Sequence, residues 1–173
     1  DMVVSLPTCK ALKQGFPNAS ITMVASRVNH CIADTCEYID DVIVKPSALI
    51  QWLWILVGLR SLKYDITVDL NHAVTPHTIF AIRILRPKHV ATPFKDGRWG
   101  VRGSNLKMFD LMPPEHKLKY DRPISETYLD IARLLQCPTE ECLPYPLRRS
   151  ARSNQLADEY VVLNYTGSRK SMR

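Results

Sequence analysis

The sequence has 173 residues, of which 46% are hydrophobic and 23% are charged. This length and composition predict a globular protein of one domain or slightly more, and they exclude a disordered or collagen-like chain. The longest apolar run, residues 48–59, is shorter than the roughly 20 residues that a membrane-spanning helix needs. The first residues also lack the pattern typical of a secretory signal.

The net charge of +6 is unevenly distributed. Residues 83–107 contain seven Lys or Arg and one Asp, and residues 148–173 contain six Lys or Arg and two acidic residues. Two such basic segments predict an anionic partner: phosphates, acidic sugars, nucleic acid or a lipid surface. The alternative is a solvated basic face without a partner.

The chain has five cysteines, and an odd number argues against a disulfide framework. Two pairs have a spacing that loosely resembles a zinc site, but neither pair has a close pair of histidines. We therefore predict no metal and reduced, mostly buried thiols at Cys9, Cys31, Cys36, Cys137 and Cys142.

Helical and β-branched segments alternate along the chain. A first helix is predicted over residues 1–16, with Pro7 in its opening turns, where proline is tolerated. Later helices are marked by apolar residues at intervals of three and four, and the last covers residues 125–136. Predicted strands occupy residues 21–26, 41–45, 65–70, 89–93 and 160–165.

This alternation predicts an α/β fold: a Rossmann-like, mostly parallel sheet with helices on both faces. Because a helix of such a unit follows a strand, we expect one strand to be missing upstream of residue 1. Residues 137–149 resemble a linker. We therefore predict one domain over residues 1–149, and a linker helix with the opening strand and loop of a truncated second domain over residues 150–173.

The third predicted helix is apolar on more than one side. Its core stripe is predicted to include Leu49, Trp52, Leu53, Leu56 and Leu59. Its other side carries Ile50 and Trp54, for which packing against a neighbouring element is favoured over insertion into a membrane interface.

Residues 94–112 follow the fourth strand and have three glycines, several cations and no periodicity. Such a loop within a compact domain is typically functional, and we predict that it is weakly packed when no ligand is bound.

Four stretches resemble motifs of one known family. DMVVSLP followed by FPNA, within residues 1–19, resembles a G-D-x-x-x-x-x-P turn and helix followed by YPGA. YIDDVI at 38–43, YDITVDLN at 64–71 and VVLNYTGS at 161–168 resemble two further strands and the opening of a donor domain. Together they resemble the ADP-heptose:lipopolysaccharide heptosyltransferases, which are glycosyltransferases with the two-domain GT-B fold.

The resemblance implies an inverting transfer of heptose from ADP-heptose to the inner core of lipopolysaccharide, without a cofactor. It identifies Asp1 as the general base, and a carboxylate at a helix N-terminus stays ionised there. A simple N-cap is the alternative for Asp1. This fragment alone is expected to be inactive, because the donor is bound by the second domain.

For the donor diphosphate, the resemblance implies the loop that opens the second domain. This loop departs from the P-x-K-R-W pattern commoner in the family, so its basic residue has two candidates, and a surface turn is the alternative. The positions are Thr166, Gly167 and Ser168, with Lys170 or Arg173 as the basic residue.

For the acceptor, a phosphorylated lipid A carrying acidic ketosugars, charge suggests Arg98, Arg102 and Lys107, and Trp99 is expected to stack on a sugar ring. A solvated basic loop is the alternative for these residues. Strand ends supply further candidates, because open α/β sheets bind ligands at the carboxyl ends of their strands. These are Arg27, Asn71 and His72; a structural hydrogen bond is the alternative for the histidine and the arginine.

The expected location is cytoplasmic, peripheral at the inner face of the inner membrane. Two other functions remain as alternatives: a basic nucleic-acid-binding α/β module, or another nucleotide-sugar-binding α/β enzyme. The first lacks any signature of an RNA- or DNA-binding fold, so no nucleic acid is expected as a partner. The second lacks the G-x-G-x-x-G fingerprint of a dinucleotide enzyme.

Overall fold

The computed structural model describes residues 2–71, 73–95, 107–114 and 123–143. A 3-10 turn, Val3–Ser5, leads directly into the first α-helix. The helices are α1 Leu6–Gly15, α2 His30–Ala33, α3 Leu49–Arg60, α4 Pro76–Leu85 and α5 Ile124–Leu134. The strands are β1 Thr22–Ala25, β2 Asp41–Val44, β3 Ile66–Val68 and β4 His89–Ala91.

All four described strands are paired in parallel, as predicted. In one pair, β1 lies beside β2 with Thr22 opposite Asp41; in the other, β3 lies beside β4 with Ile66 opposite His89. The described strands thus form two separate two-stranded sheets, with helices in the crossover connections. The strands are shorter than their apolar runs by one to three residues, and the fifth predicted strand lies outside the described residues.

The α1–α5 contact forms one of the cores, and it contains two of the four buried thiols. Ala11, Leu129 and Ala132 pack there with Cys137 and Cys142. All five cysteines are free, and of these Cys31 alone is exposed, as the sequence indicated. Burial, with a smaller contribution from neighbouring Cys36, raises the pKa of Cys9 to about 12, so this thiol is an inert core group.

The outer side of α3 differs from the prediction. Trp52 and Leu56 are buried, but Trp54 is 72% exposed and Ile50 is 68% exposed, so the expected packing against a neighbour is wrong for the described residues. Leu49 and Leu53, predicted as core, are also exposed. The reason is that α3 is apolar on all sides, so periodicity alone does not select its buried face.

The segment after β4 is also packed more tightly at its ends than predicted. Phe94, Lys95 and Phe109 are buried, and Leu111 forms a parallel bridge beside Ala91. Asp110 holds the segment that contains Leu111 beside β4. Its Oδ1 accepts the backbone N–H of Val90 at 2.7 Å, and its Oδ2 lies 2.6 Å from the Nδ1 of His89. Burial opposes the charge of Asp110, but these bonds outweigh it and lower the pKa. Residues 96–106, the middle of the loop, lie outside the described residues.

Two glycines provide a matched test of the α1–α5 core. A Cβ added at Gly15 would lie 2.4 Å from the Sγ and 3.2 Å from the Cα of Cys137, whereas one added at Gly58 in α3 meets no atom within 4 Å. We expect Gly15→Ala to lower the free energy of unfolding by about 1–3 kcal/mol through overpacking. Gly58→Ala is expected to raise it by about 0.5–1 kcal/mol, because glycine is unfavourable in a helix. Urea denaturation measures both changes in the free energy of unfolding. Equal changes for the two variants would contradict the close contact between Gly15 and Cys137.

Asp40, next to β2, is bonded to α1 and to the residue that precedes β1. These bonds predict that the free energy of unfolding depends on pH in acid. Its Oδ2 accepts the backbone N–H of Ile21 at 2.7 Å, and Lys13 of α1 donates to both of its carboxylate oxygens. The bond from Ile21 and then the one from Lys13 lower the pKa of Asp40 below its usual 3.8. A lowered carboxyl pKa contributes stability above the unfolded value, and this contribution is lost as the pH falls through the folded value.

We therefore expect Asp40→Asn to destabilise the protein by about 1 kcal/mol at pH 7, a value reduced for the partial exposure of the pair. The difference from the unmodified protein should shrink as the pH falls below about 3.8. Urea titrations at several pH values measure it. Asp41→Asn removes a neighbouring exposed carboxylate and is the control; a pH-independent difference for Asp40→Asn would contradict the assignment.

Candidate functional site

A polar cluster lies at the carboxyl ends of β3 and β4. Asp69 directly follows β3, and Thr92 directly follows β4, with Lys95 three residues further along. Carboxyl ends of parallel strands are where open α/β sheets bind ligands. This edge, formed by Asp69, Asn71, Thr75, Thr78, Thr92, Lys95 and Tyr128, is called the polar edge below.

At its centre is a buried ion pair. The Nζ of Lys95 lies 2.6 Å from the Oδ2 of Asp69; the Lys95 side chain is 0% exposed and that of Asp69 8%. The ammonium also donates to the backbone carbonyl of Asn71 and lies 5.1 Å from the ring centroid of Phe109. Burial lowers the pKa of Lys95, and the attraction of Asp69 opposes that shift. The pair therefore depends on complete hydrogen bonding, because an isolated charge in this position would be costly.

Asp69 uses all of its polar atoms to join strands and loop. Its Oδ1 accepts the side-chain amide of Asn71 at 2.8 Å and the backbone N–H of the same residue at 3.2 Å. Its own N–H donates to the carbonyl of Ala91 at 2.9 Å, and its carbonyl accepts the hydroxyl of Thr92 at 2.9 Å. One carboxylate thus holds the turn after β3 against the segment after β4.

The start of α4 completes one side of the polar edge. Thr75 is the N-cap, and its Oγ1 accepts the N–H of Thr78 at 3.3 Å, while Pro76 occupies a first-turn position. Both are favoured at helix starts. The Nδ2 of Asn71 lies 3.4 Å from the Oγ1 of Thr78, so the loop and the helix start are linked.

Helix α5 contributes the buried Tyr128, which is within electrostatic range of Asp69. Burial, and then the charge of Asp69, raise the pKa of this phenol. The turn Val3–Ser5 and α1 both pack against α5. The turn that follows Asp1 in the sequence therefore contacts the helix that carries Tyr128.

Of the predicted site residues, the structure brings one into the polar edge. Asn71 belongs to it and is exposed, so its side chain is accessible from solvent. Arg27 is exposed at the carboxyl end of β1, as predicted, and its carbonyl lies 2.8 Å from the Nδ1 of His30. Lys107 is exposed, and no hydrogen bond or ion pair between described residues joins it to the polar edge. The other predicted positions lie outside the described residues: Asp1, His72, Arg98, Trp99, Arg102, Thr166, Gly167, Ser168, Lys170 and Arg173.

Sequence reasoning did not single out Asp69, Lys95 or Tyr128 as members of the site. A signal for Asp69 exists, because it is a lone acid at the end of the apolar run ITV. Lys95 was counted only as one cation of a basic loop, and its pairing with a residue 26 positions earlier has no sequence signature. Tyr128 fits a core helix stripe equally well.

A cleft elsewhere in the described residues lacks the groups of an active site. An open cleft of about 360 Å³ is lined by residues 15–19, at the end of α1. These residues have no titratable side chain, so the cleft offers no catalytic chemistry. No group of three or more His, Cys, Asp or Glu suited to a metal occurs among the residues that the structure describes.

Parallel strands joined by helical crossovers define an α/β fold, and the polar edge lies where open α/β sheets generally bind ligands. Among solved structures, the fold is similar to that of the E. coli ADP-heptose lps heptosyltransferase II, with a TM-score of 0.61 and 17% sequence identity. The similarity covers 88% of this chain and 44% of that one, so this chain spans less than half the length of its structural neighbour.

No protein-family model matches the sequence, and no curated protein matches it significantly. Of these comparisons, the structural likeness alone thus supports the fold predicted from the sequence motifs. In the described part of the chain, no helix has both the length and the apolar character needed to cross a membrane.

The buried pair predicts a specific pattern of stability changes. Lys95→Met leaves the Asp69 carboxylate buried without its cation, so we expect a loss of about 3–5 kcal/mol in the free energy of unfolding. In the double variant Asp69→Asn/Lys95→Met the uncompensated charge is gone, and at least about 2 kcal/mol should be recovered. Denaturant unfolding of the three proteins measures both values.

The control is Lys88→Met, which removes an ion pair with Asp65 in which both side chains are mostly exposed. We expect its unfolding midpoint to stay close to that of the unmodified protein. A double variant that is no more stable than Lys95→Met would contradict a direct Asp69–Lys95 interaction.

Proposed function

We propose that this chain is the acceptor-side domain of a glycosyltransferase that moves a heptose from ADP-heptose to the inner core of lipopolysaccharide. The observation that carries the proposal is the fold likeness over 88% of the chain to a heptosyltransferase, together with the motifs that resemble that family. The activity is proposed for a protein in which residues 1–149 are joined to a donor-binding domain, of which residues 150–173 are the beginning.

The polar edge supports a sugar acceptor. It presents hydroxyl and amide groups, which are the groups that hydrogen-bond sugar hydroxyls, and Asn71 is its exposed member. The ion pair beneath is fully enclosed, so it positions Asn71 through the backbone carbonyl and the side-chain amide without offering a free charge to the sugar. The exposed Arg27 and Lys107, with Arg98, Trp99 and Arg102, are the proposed contacts for the acidic and phosphorylated parts of the acceptor.

The proposed reaction is a single inverting displacement. The acceptor hydroxyl oxygen forms a bond to the anomeric carbon of the heptose while the bond from that carbon to the β-phosphate oxygen of ADP breaks. The hydroxyl proton passes to the carboxylate of Asp1, and ADP leaves with the electron pair. Thr166, Gly167 and Ser168 are proposed to bind the departing diphosphate, with Lys170 or Arg173 offsetting its charge.

His72, the neighbour of Asn71, is proposed as a second acceptor contact at the same strand end. Because the acceptor is anchored in a lipid, the protein is proposed to act in the cytoplasm at the inner face of the inner membrane. No cofactor or metal is needed for this displacement.

Substitution of the proposed base tests the function. In the protein that includes the donor domain, we expect Asp1→Asn to lower turnover about 10²–10⁴-fold, because the amide keeps the shape but does not take the proton. Affinity for the ADP-sugar should stay nearly unchanged, since that ligand is held by the other domain. Turnover and donor binding are measured separately, by ADP release and by calorimetry.

Asp34→Asn, which removes an exposed carboxylate at the end of α2, is the control. Turnover of Asp1→Asn close to that of the control would show that Asp1 is a helix cap and that the base lies elsewhere. Absence of transfer by the unmodified protein, combined with salt-sensitive retention on a nucleic-acid column, would favour the alternative of a nucleic-acid-binding module.

A further inference from the structure

The outer face of α3 is a continuous apolar stripe. Ile50, Leu53, Trp54 and Val57 follow one another at helical spacing, and all four are exposed, with Leu49 beside them at the start of the helix. Single exposed apolar residues are common on protein surfaces, but a stripe that includes a tryptophan at 72% exposure marks an interaction surface.

The charges of α3, of α4 and of the residues next to these helices are positive, apart from Asp65, which is paired with Lys88. Residues 45–63 contain three cations and no Asp or Glu, and the same is true of residues 75–88, which include the neighbouring helix α4. Helices α3 and α4 pack against each other, so the two sets of cations border one surface. They are Lys45, Arg60, Lys63, Arg83 and Arg86, all of which are exposed; Lys88 is exposed as well, but its charge is paired with Asp65.

An apolar helix face with a tryptophan and a border of cations is the pattern of a helix that lies in the interface of an anionic bilayer. At 12 residues, α3 is about 18 Å long, which suits a helix lying in the plane of the headgroups. Indole side chains favour that region, because one end is apolar and the other donates a hydrogen bond.

Two other occupants are disfavoured by charge. A second copy of the chain would bring the same cationic border against itself, and like charges in an interface are repulsive. Residues 144–173 of this chain carry six Lys or Arg against two acidic residues, so the same argument applies to them.

We propose that the outer face of α3 docks on an anionic lipid bilayer, with Ile50, Leu53, Trp54 and Val57 inserted and the cations of α3 and α4 on the lipid phosphates. The docking itself is argued from the surface of α3 and α4, and it rests on the proposed function only for the purpose that docking would serve. Thr75 and Thr78, at the start of α4, belong to the polar edge, so docking through the neighbouring helix would hold that edge near the surface where a lipid-linked acceptor is presented.

Co-sedimentation of the 173-residue chain with vesicles tests the proposal. We expect binding to vesicles that contain phosphatidylglycerol and weak binding to pure phosphatidylcholine. The double variant Ile50→Gln/Trp54→Gln should reduce partitioning at least about tenfold, because it removes the two most exposed apolar side chains of the stripe. Arg60→Gln should reduce binding to anionic vesicles about fivefold and leave binding to neutral vesicles unchanged.

The matched control is Val28→Gln, which removes an apolar side chain that is 81% exposed but lies in the turn after β1. It should bind like the unmodified protein, and circular dichroism should show that every variant keeps its helices. No binding to anionic vesicles, or equal binding by the α3 variant, would overturn the proposal. So would a lipid-free dimer that depends on Trp54, which would assign the face to a second copy. The vesicles contain no sugar acceptor, so this result is independent of whether the protein transfers heptose.

Discussion

The buried contact between Asp69 and Lys95 is the interaction on which the organisation of the candidate site depends. Two charges are removed from water at the junction of two strands, a loop and a helix start. Such a pair is tolerated only when its remaining donors and acceptors are satisfied. Here Asn71 bonds both charged groups, and Ala91 and Thr92 hold the backbone of Asp69, so the cost of burial selects one geometry for the ends of β3 and β4.

That geometry has functional consequences at the surface of the polar edge. The charges themselves are enclosed, and what they position is a neutral amide, the side chain of Asn71, beside the capped start of α4. Neutral hydrogen-bonding groups suit a sugar hydroxyl, and the mobile charges of a transfer reaction are assigned to other parts of the chain. In the proposed function, the acceptor contact at Asn71 therefore belongs to a different part of the sequence from the proposed base, Asp1, and from the loop proposed to bind the donor.

Local patterns predicted the elements well, and long-range pairing explains what they missed. The β-branched runs located all four described strands, because a buried parallel strand is a short, continuous apolar segment. Lys95 was assigned to a basic loop because its partner lies 26 residues earlier, and no spacing rule connects the two. Asn71 was predicted as a candidate because strand ends are general binding positions, and the structure places it at the polar edge. The exposed side of α3 was misassigned because an all-apolar helix has no polar side to orient it.

The Asp69–Lys95 pair, and not the global stability of the protein, is what holds the polar edge in place. Native-state hydrogen exchange tests it in the unmodified protein and in the double variant Asp69→Asn/Lys95→Met, with urea used to match their global stabilities. The informative amides are those of residue 69, which donates to Ala91, and of Thr92, which donates to Leu111; the amide of Lys45, which donates to Ala25, reports on the other sheet. In the double variant we expect at least about a tenfold loss of protection at positions 69 and 92, with the amide of Lys45 unchanged. Equal protection at all three amides in both proteins would contradict it.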